Sequence, residues 1–282
     1  MKIYSIFNNP RKVKGHNSSQ EPSLLDQVKN RPYLTNFEQG GSKLQAKDRI
    51  IVALDVDTKD EALALVKKLK DYVGAFKVGM QLYNSTGPEI VKLINNLGGK
   101  VFVDLKFHDI PNTVAAAGRV MTRLNCFMFN VHAAGGKEMM STLAKAISEE
   151  ADKLGSHAPV SLAVTVLTSI SQNELEKEML IKNIELKELV VKWALMAQES
   201  GITGVVCSPQ EITAVRQACG PGFKIVTPGI RPAWSAKNDQ KRITTPRQAL
   251  DMGADYMVIG RPITRAQNPI EAAQKIIDEL EA

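Results

Sequence analysis

The chain is poor in cysteine, and it lacks long apolar runs and a one-sided charge over most of its length. Cys126, Cys207 and Cys219 are its three cysteines, and their spacing fits neither a metal-ligand set nor a disulfide framework. Cys126 and Cys207 lie in apolar runs and read as small buried hydrophobes in a reducing compartment, which points to the cytoplasm. No apolar run approaches the roughly 18 residues that span a bilayer, so no membrane partner is expected. The first residues lack the continuous hydrophobic segment of a secretory signal. No Gly-x-Gly-x-x-Gly follows the first apolar strand, which weakens a dinucleotide-binding reading. The net charge is +6, but residues 1–48 carry eight Lys/Arg against four Asp/Glu. The remainder is nearly balanced, which argues against a nucleic-acid partner.

What is present suits one large globular domain, with 44% apolar and 23% charged residues. Residues 1–47 are rich in Asn, Ser, Lys, Gln and Pro without a sustained period, and read as a disordered N-terminal extension. A targeting peptide stays open there, because no acidic residue precedes Glu21 although Arg is sparse. From residue 48 the pattern changes. Apolar runs predict strands over 50–55, 75–79, 100–105, 126–131, 160–166, 204–207, 223–227 and 256–259. Helical spacing predicts helices over 59–72, 88–97, 112–123, 137–154, up to 200, 209–218, 246–252 and 269–280. Strict alternation of eight strands and eight helices implies parallel strands with helical crossovers. The expected architecture is therefore α/β, a single-domain (β/α)₈ TIM barrel over residues 48–282. An open doubly wound sheet is the runner-up.

In such a barrel, chemistry collects at the C-terminal ends of the strands. The run Val103-Asp-Leu-Lys-Phe-His-Asp-Ile-Pro-Asn-Thr113 is the most informative stretch. Residues two apart on a strand share a face, so Asp104 and Lys106 should point the same way. Asp109 follows as the strand gives way to loop. Charges at the end of a core strand are costly unless paired, and suggest a site holding negative charge beside a proton donor. Other polar residues fall at the same end: Asp55, Lys77, His132, Thr168, Ser169, Ser208, Arg231 and Arg261. Gly229 and Gly260, beside the two arginines, let backbone N–H groups approach an anion, and the loops after strands seven and eight often bind phosphate. The long polar stretch from Gly229 to Arg242 reads as a lid or as a surface loop. His132 fits a hydrogen-bonded supporting residue better than an acid or base. Lys77 also fits a structural lysine paired with Asp104 or Asp55. Lys137 fits a helix start, Trp193 helix packing, and Trp234 a place in the lid.

The residues Lys77-Val-Gly-Met80, Asp104 to Thr113, Asn130-Val-His-Ala-Ala-Gly-Gly136, Thr227-Pro-Gly-Ile-Arg231, Asp239-Gln-Lys-Arg242 and Gly260-Arg-Pro-Ile263 together resemble the orotidine 5'-phosphate decarboxylase family, of the single-function bacterial type. The resemblance covers the whole barrel and not the first 47 residues. It implies decarboxylation of orotidine 5'-monophosphate (OMP) to UMP, with no cofactor and no metal. By motif, it implies that Asp55 and Lys77 contact the ribose hydroxyls, Lys106 donates the proton, and Asp104 sits beside the substrate carboxylate. Asp109 and Thr113 would reach into the neighbouring site of a homodimer. Thr168 would contact the pyrimidine, Gln240 would bridge lid, base and phosphate, and Arg231, Gly260 and Arg261 would hold the phosphate. Two alternatives remain at this point. One is a Mg²⁺-dependent sugar-phosphate decarboxylase or lyase on the same barrel, and the other a non-catalytic phosphate-binding barrel.

Overall fold

The computed structural model describes residues 44–235 and 244–282. The disorder expected for residues 1–47 lies, up to residue 43, outside the described residues, and so does Gln240. The strands are β1 (Ile50–Ala53), β2 (Ala75–Gly79), β3 (Val101–Phe107), β4 (Met128–His132), β5 (Val160–Val164), β6 (Gly204–Val206), β7 (Lys224–Thr227) and β8 (Tyr256–Ile259). Each pairs in parallel with the next, and β1 pairs with β8, closing the barrel in sequence order. Neighbouring strands thus stand in the order that short helical crossovers impose.

Alternation along the strands divides the core in two. Ile51, Ala53, Ala75, Phe102, Met128, Leu162, Val226 and Val258 form one buried cluster inside the barrel. Ile50 and Val52, of the opposite parity, are also fully buried, as expected where helices cover the outer face. Moving one inward position toward the C-terminal end replaces apolar residues by polar ones. Ala75 is followed by Lys77, Phe102 by Asp104, and Met128 by Asn130. The apolar plug therefore forms the floor of a polar mouth.

The helices are α1 (Lys59–Leu69), α2 (Met80–Thr86), α3 (Glu89–Asn96), α4 (Pro111–Arg123), α5 (Gly136–Leu154), α6 (Gln172–Lys177), α7 (Leu186–Glu199), α8 (Ile212–Cys219), α9 (Pro246–Met252), α10 (Arg261–Thr264) and α11 (Pro269–Glu281). One helix per strand, as the strict alternation predicted, is too few. After β2, Gly87 at φ 70° and Pro88 separate α2 from α3, because a left-handed residue cannot continue a right-handed helix. After β5, a capping box of Ser171 and Glu174 starts the short α6. Leu180 and Asn183, both at φ 60°, then interrupt the chain before α7. After β8, Asn268 caps a new helix beyond α10 by accepting from the Glu271 N–H. Starts elsewhere follow local chemistry. Thr58 with Glu61 and Thr245 with Gln248 form capping boxes, and Pro111, Pro246 and Pro269 occupy first positions where no N–H is needed.

The end of the barrel away from the polar mouth is closed by arginines. Arg216 donates to the Gly253 carbonyl and lies 2.6 Å from Asp255, and Arg49 donates to the Asp255 carbonyl at 3.3 Å. Among the described residues no helix is long and apolar enough to cross a membrane.

Candidate active site

A cavity of about 400 Å³ opens at the C-terminal end of the strands. Its lower wall carries a row of charges of alternating sign. Lys77 on β2 lies 3.2 Å from Asp55 Oδ1 and 3.4 Å from Asp104 Oδ2. Asp104 Oδ1 in turn accepts from Lys106 Nζ at 2.7 Å. The order Asp55, Lys77, Asp104, Lys106 gives every interior charge an opposite neighbour, so the group can be held away from bulk water without a lone buried ion. Lys77 and Asp104 are 12% and 16% exposed at their side chains, against 63% for Asp55. The row therefore runs from the rim into the protein.

Burial pushes the Asp104 carboxyl up, but Lys77, Lys106 and the hydrogen bond from Asn130 outweigh it and hold the group below the usual carboxylate range. Asp104 is thus a fixed anion at neutral pH, with an ammonium on each side.

The strand that carries Asp104 and Lys106 departs from the regular alternation that first suggested their pairing. Its register against β4 shifts: Val103 faces Phe129, but Phe107 faces Val131. Four steps of β3 match two steps of β4. The excess is taken up with Lys106 at φ 54°, in the left-handed region. The strand also runs on to Phe107 rather than ending at 105. The two side chains do meet, but a bulge brings them together, with the Lys106 N–H donating to Asn130 Oδ1 at 2.8 Å. Bulges re-aim side chains in this way.

The rest of the cavity divides by chemistry. Val164, Val166, Leu167, Val206, Ile230 and Val258 form an apolar wall, with Thr168 at its edge. Gly229, Arg231, Gly260 and Arg261 line the side formed by the loops after β7 and β8. Gly229 has φ 77°. Arg231 is anchored by its N–H on the Thr244 carbonyl at 3.1 Å, which ties the two ends of the intervening loop together. Of the residues singled out from sequence, Asp55, Lys77, Asp104, Lys106, Thr168, Arg231, Gly260 and Arg261 thus line one cavity.

Asp109 and Thr113 do not line it. Both are exposed, and Asp109 Oδ1 accepts from the Ile110 N–H at 2.7 Å. His132 is also outside the cavity. Its Nδ1 accepts from the Ala134 N–H, its ring stacks on His108 with centroids 5.5 Å apart, and Trp193 packs edge-on against it. Burial, His108 and Lys106 push its pKa down, so it is a neutral supporting group. Lys137 pairs with Glu199 at 3.4 Å, and Trp234 lies under Lys275. Ser208 accepts from the Gln210 N–H. Among the described residues no three His, Cys, Asp or Glu side chains are grouped as a metal site.

Sequence reading missed Asn130 as a member of the charged row. Its Nδ2 donates to Asp104 Oδ1 at 2.7 Å, and it is 1% exposed. The available signal was an amide set between Phe129 and Val131 in an otherwise apolar strand.

Residues 48–276 match the family model described as the orotidine 5'-phosphate decarboxylase / HUMPS family. The chain belongs to this family. A relative from Syntrophomonas wolfei named orotidine 5'-phosphate decarboxylase is 73% identical over 238 residues, which is 84% of this chain and 100% of the relative. One of the same name from Moorella thermoacetica is 53% identical over 85% of this chain and 94% of its own length. The crystal structure of orotidine 5'-phosphate decarboxylase from Lactobacillus acidophilus superposes with a TM-score of 0.74 at 37% identity, over 83% of this chain and 99% of that one. The family match spans the whole charged row and both Arg231 and Arg261.

Proposed function

We propose that the chain decarboxylates OMP to UMP and CO₂, the last step of pyrimidine nucleotide synthesis, and that Lys106 delivers the proton to C6. Loss of CO₂ from that ring carbon leaves an electron pair in an sp² orbital that the ring cannot delocalise well. The uncatalysed barrier is therefore high, and enzymes lower such barriers by up to about 23 kcal/mol. Fixed charges must supply much of this where the ring offers no electron sink. The observation that carries the reading is the ammonium of Lys106, held 2.7 Å from Asp104 at the wall of the cavity. It is a cation, it is already oriented, and it carries a transferable proton.

Position supports several of the remaining roles. Asp55 and Lys77, at the rim end of the row, suit the ribose hydroxyls. Thr168, beside the apolar wall, suits the pyrimidine edge. Arg231, Gly260 and Arg261 face the cavity from the opposite loops and suit the phosphate. Gln240 is assigned to the lid, base and phosphate by family motif. We further propose a homodimer in which Asp109 and Thr113 serve the neighbouring site. Asp109 and Thr113 are both exposed, outside the cavity of their own chain, which agrees with a role in the partner's site. Residues 48–282 would form the catalytic barrel. A cytoplasmic setting agrees with three buried free thiols.

The test is absorbance-monitored conversion of OMP with chelator present. Wild type should turn over with EDTA added, and Lys106→Ala should lose roughly 10³-fold in kcat, within the range for removing a general acid. Full turnover by Lys106→Ala would refute the assignment of the proton donor. Sensitivity of the wild type to EDTA would favour the Mg²⁺-dependent alternative.

A further inference from the structure

We propose that Asn130 is a positioning residue for this reaction, whose carboxamide holds the Lys106 backbone in its left-handed conformation and orients the Asp104 carboxylate. The proposal rests on the reading of Lys106 as proton donor and adds how the donor is fixed.

The geometry assigns both ends of the amide. The Lys106 N–H can only donate, so the Asn130 atom 2.8 Å away is the oxygen. An ionised carboxylate can only accept, so the atom 2.7 Å from Asp104 Oδ1 is the nitrogen. One planar group thus bridges the main chain at residue 106 and the side chain at residue 104. Lys106 Nζ meets the same Asp104 oxygen at 2.7 Å. Lysine backbone, asparagine amide, aspartate and lysine ammonium therefore form a closed hydrogen-bonded ring.

Such a ring answers a need set by the strand. A non-glycine residue at φ 54° is uncommon and persists only where its surroundings over-determine it. The bulge displaces Lys106 from regular pairing with β4, and the side chain of Asn130, from β4 itself, takes its N–H. Asn130 is 1% exposed and stands one inward position above Met128 of the apolar plug, so its own position is fixed by packing. Rigid support of this kind is what placing a reacting group requires.

Two variants test the role. Asn130→Ala should lower kcat by about 10²-fold, the scale of a misplaced reacting group, while KM for OMP and affinity for UMP stay as in wild type. An unchanged kcat, or an equal loss of kcat and UMP affinity, would overturn the proposal. Asn130→Asp keeps the volume and the acceptor for the Lys106 N–H, but turns an oxygen toward Asp104. The two carboxylates would then share a proton, and the acid limb of kcat/KM should move to higher pH. An unmoved limb would overturn the proposal even if the alanine variant does not fold. Lys106→Ala, assayed beside them, separates the two claims. Full turnover there refutes the proton donor itself. Loss there, with wild-type behaviour of both Asn130 variants, refutes only the positioning.

Discussion

Replacing Asp104 by Asn decides how the charged row works. A carboxylate beside the departing carboxyl group of OMP has two possible uses. It can repel the substrate, so that the strain is relieved as neutral CO₂ leaves, or it can keep Lys106 charged and oriented. The magnitudes separate them. Two like charges 4 Å apart repel by about 4 kcal/mol at an effective dielectric of 20. At about 1.4 kcal/mol per decade, removing that repulsion would tighten OMP by roughly 10³-fold. UMP, which bears hydrogen at C6, would gain nothing. Asp104, however, is already neutralised. Lys106 at 2.7 Å and Lys77 at 3.4 Å attract it by about 6 and about 5 kcal/mol on the same scale. Each exceeds the repulsion, and all three side chains are less than a third exposed, so solvent does not screen them away. A substrate carboxylate approaching this row meets two ammoniums along with the one anion.

Orientation is therefore the expected role. Asp104→Asn should lower kcat by at least about 10²-fold and leave the ratio of OMP to UMP affinity within about one decade of wild type. The ratio is measured by rapid-mixing binding of OMP before turnover and calorimetric binding of UMP, with the melting temperature taken as a check on folding. If the variant binds OMP close to 10³-fold more tightly relative to UMP, repulsion is the main effect and the argument from neutralisation is wrong.

The proposed phosphate contact of Arg261 makes a second prediction. Arg261→Ala should cut kcat/KM for OMP while leaving the decarboxylation of a phosphate-less substrate unchanged, and free phosphite should partly restore the rate of that truncated substrate in the wild type, because remote binding energy is used in the chemical step. A truncated substrate that already reacts as fast as OMP would refute it. The proposed dimer makes a third. Mixing inactive Asp109→Ala with inactive Lys106→Ala should restore about a quarter of the wild-type rate after random subunit exchange, since half the dimers hold one complete site. No recovery, with exchange shown by mass spectrometry, would place Asp109 in its own subunit's site.

How far this site can be read from sequence depends on which rule each residue obeys. Strand alternation is local, and it put Asp104 and Lys106 on one face, with Lys77 among the polar residues at the same end of the barrel. The barrel followed from the same kind of evidence, since apolar runs of strand length recur between helical repeats. The extra helices escaped because single residues at positive φ, Gly87, Leu180 and Asn183, separate them from their neighbours, and Leu180 is not of a type that announces a break. Asp109 and Thr113 sit outside the cavity of their own chain, and no pattern within one sequence gives the position of a second copy. Gln240 lies outside the described residues.

Lys106 is the informative case. The alternation rule brought it to the correct partner, yet regular alternation is absent there. A flat β3 would have placed Asp104 and Lys106 on one face by pleat alone, with nothing to set the ammonium's final angle. The bulge adds two residues against β4 and a conformation that asparagine and glycine adopt more readily than lysine. A strand that served only the core would have no cause to retain it, because Gly at that position would relieve the strain. On the proposed reading lysine is needed there for its ammonium, so the conformation has to be enforced from outside, and among the described residues Asn130 contacts both residues with a matching donor and acceptor. Departure from the ideal strand and the presence of an amide in the apolar layer are thus one feature seen from two sides. Either alone is weak evidence of a site, and their coincidence at one ammonium is what supports the proposed proton donor.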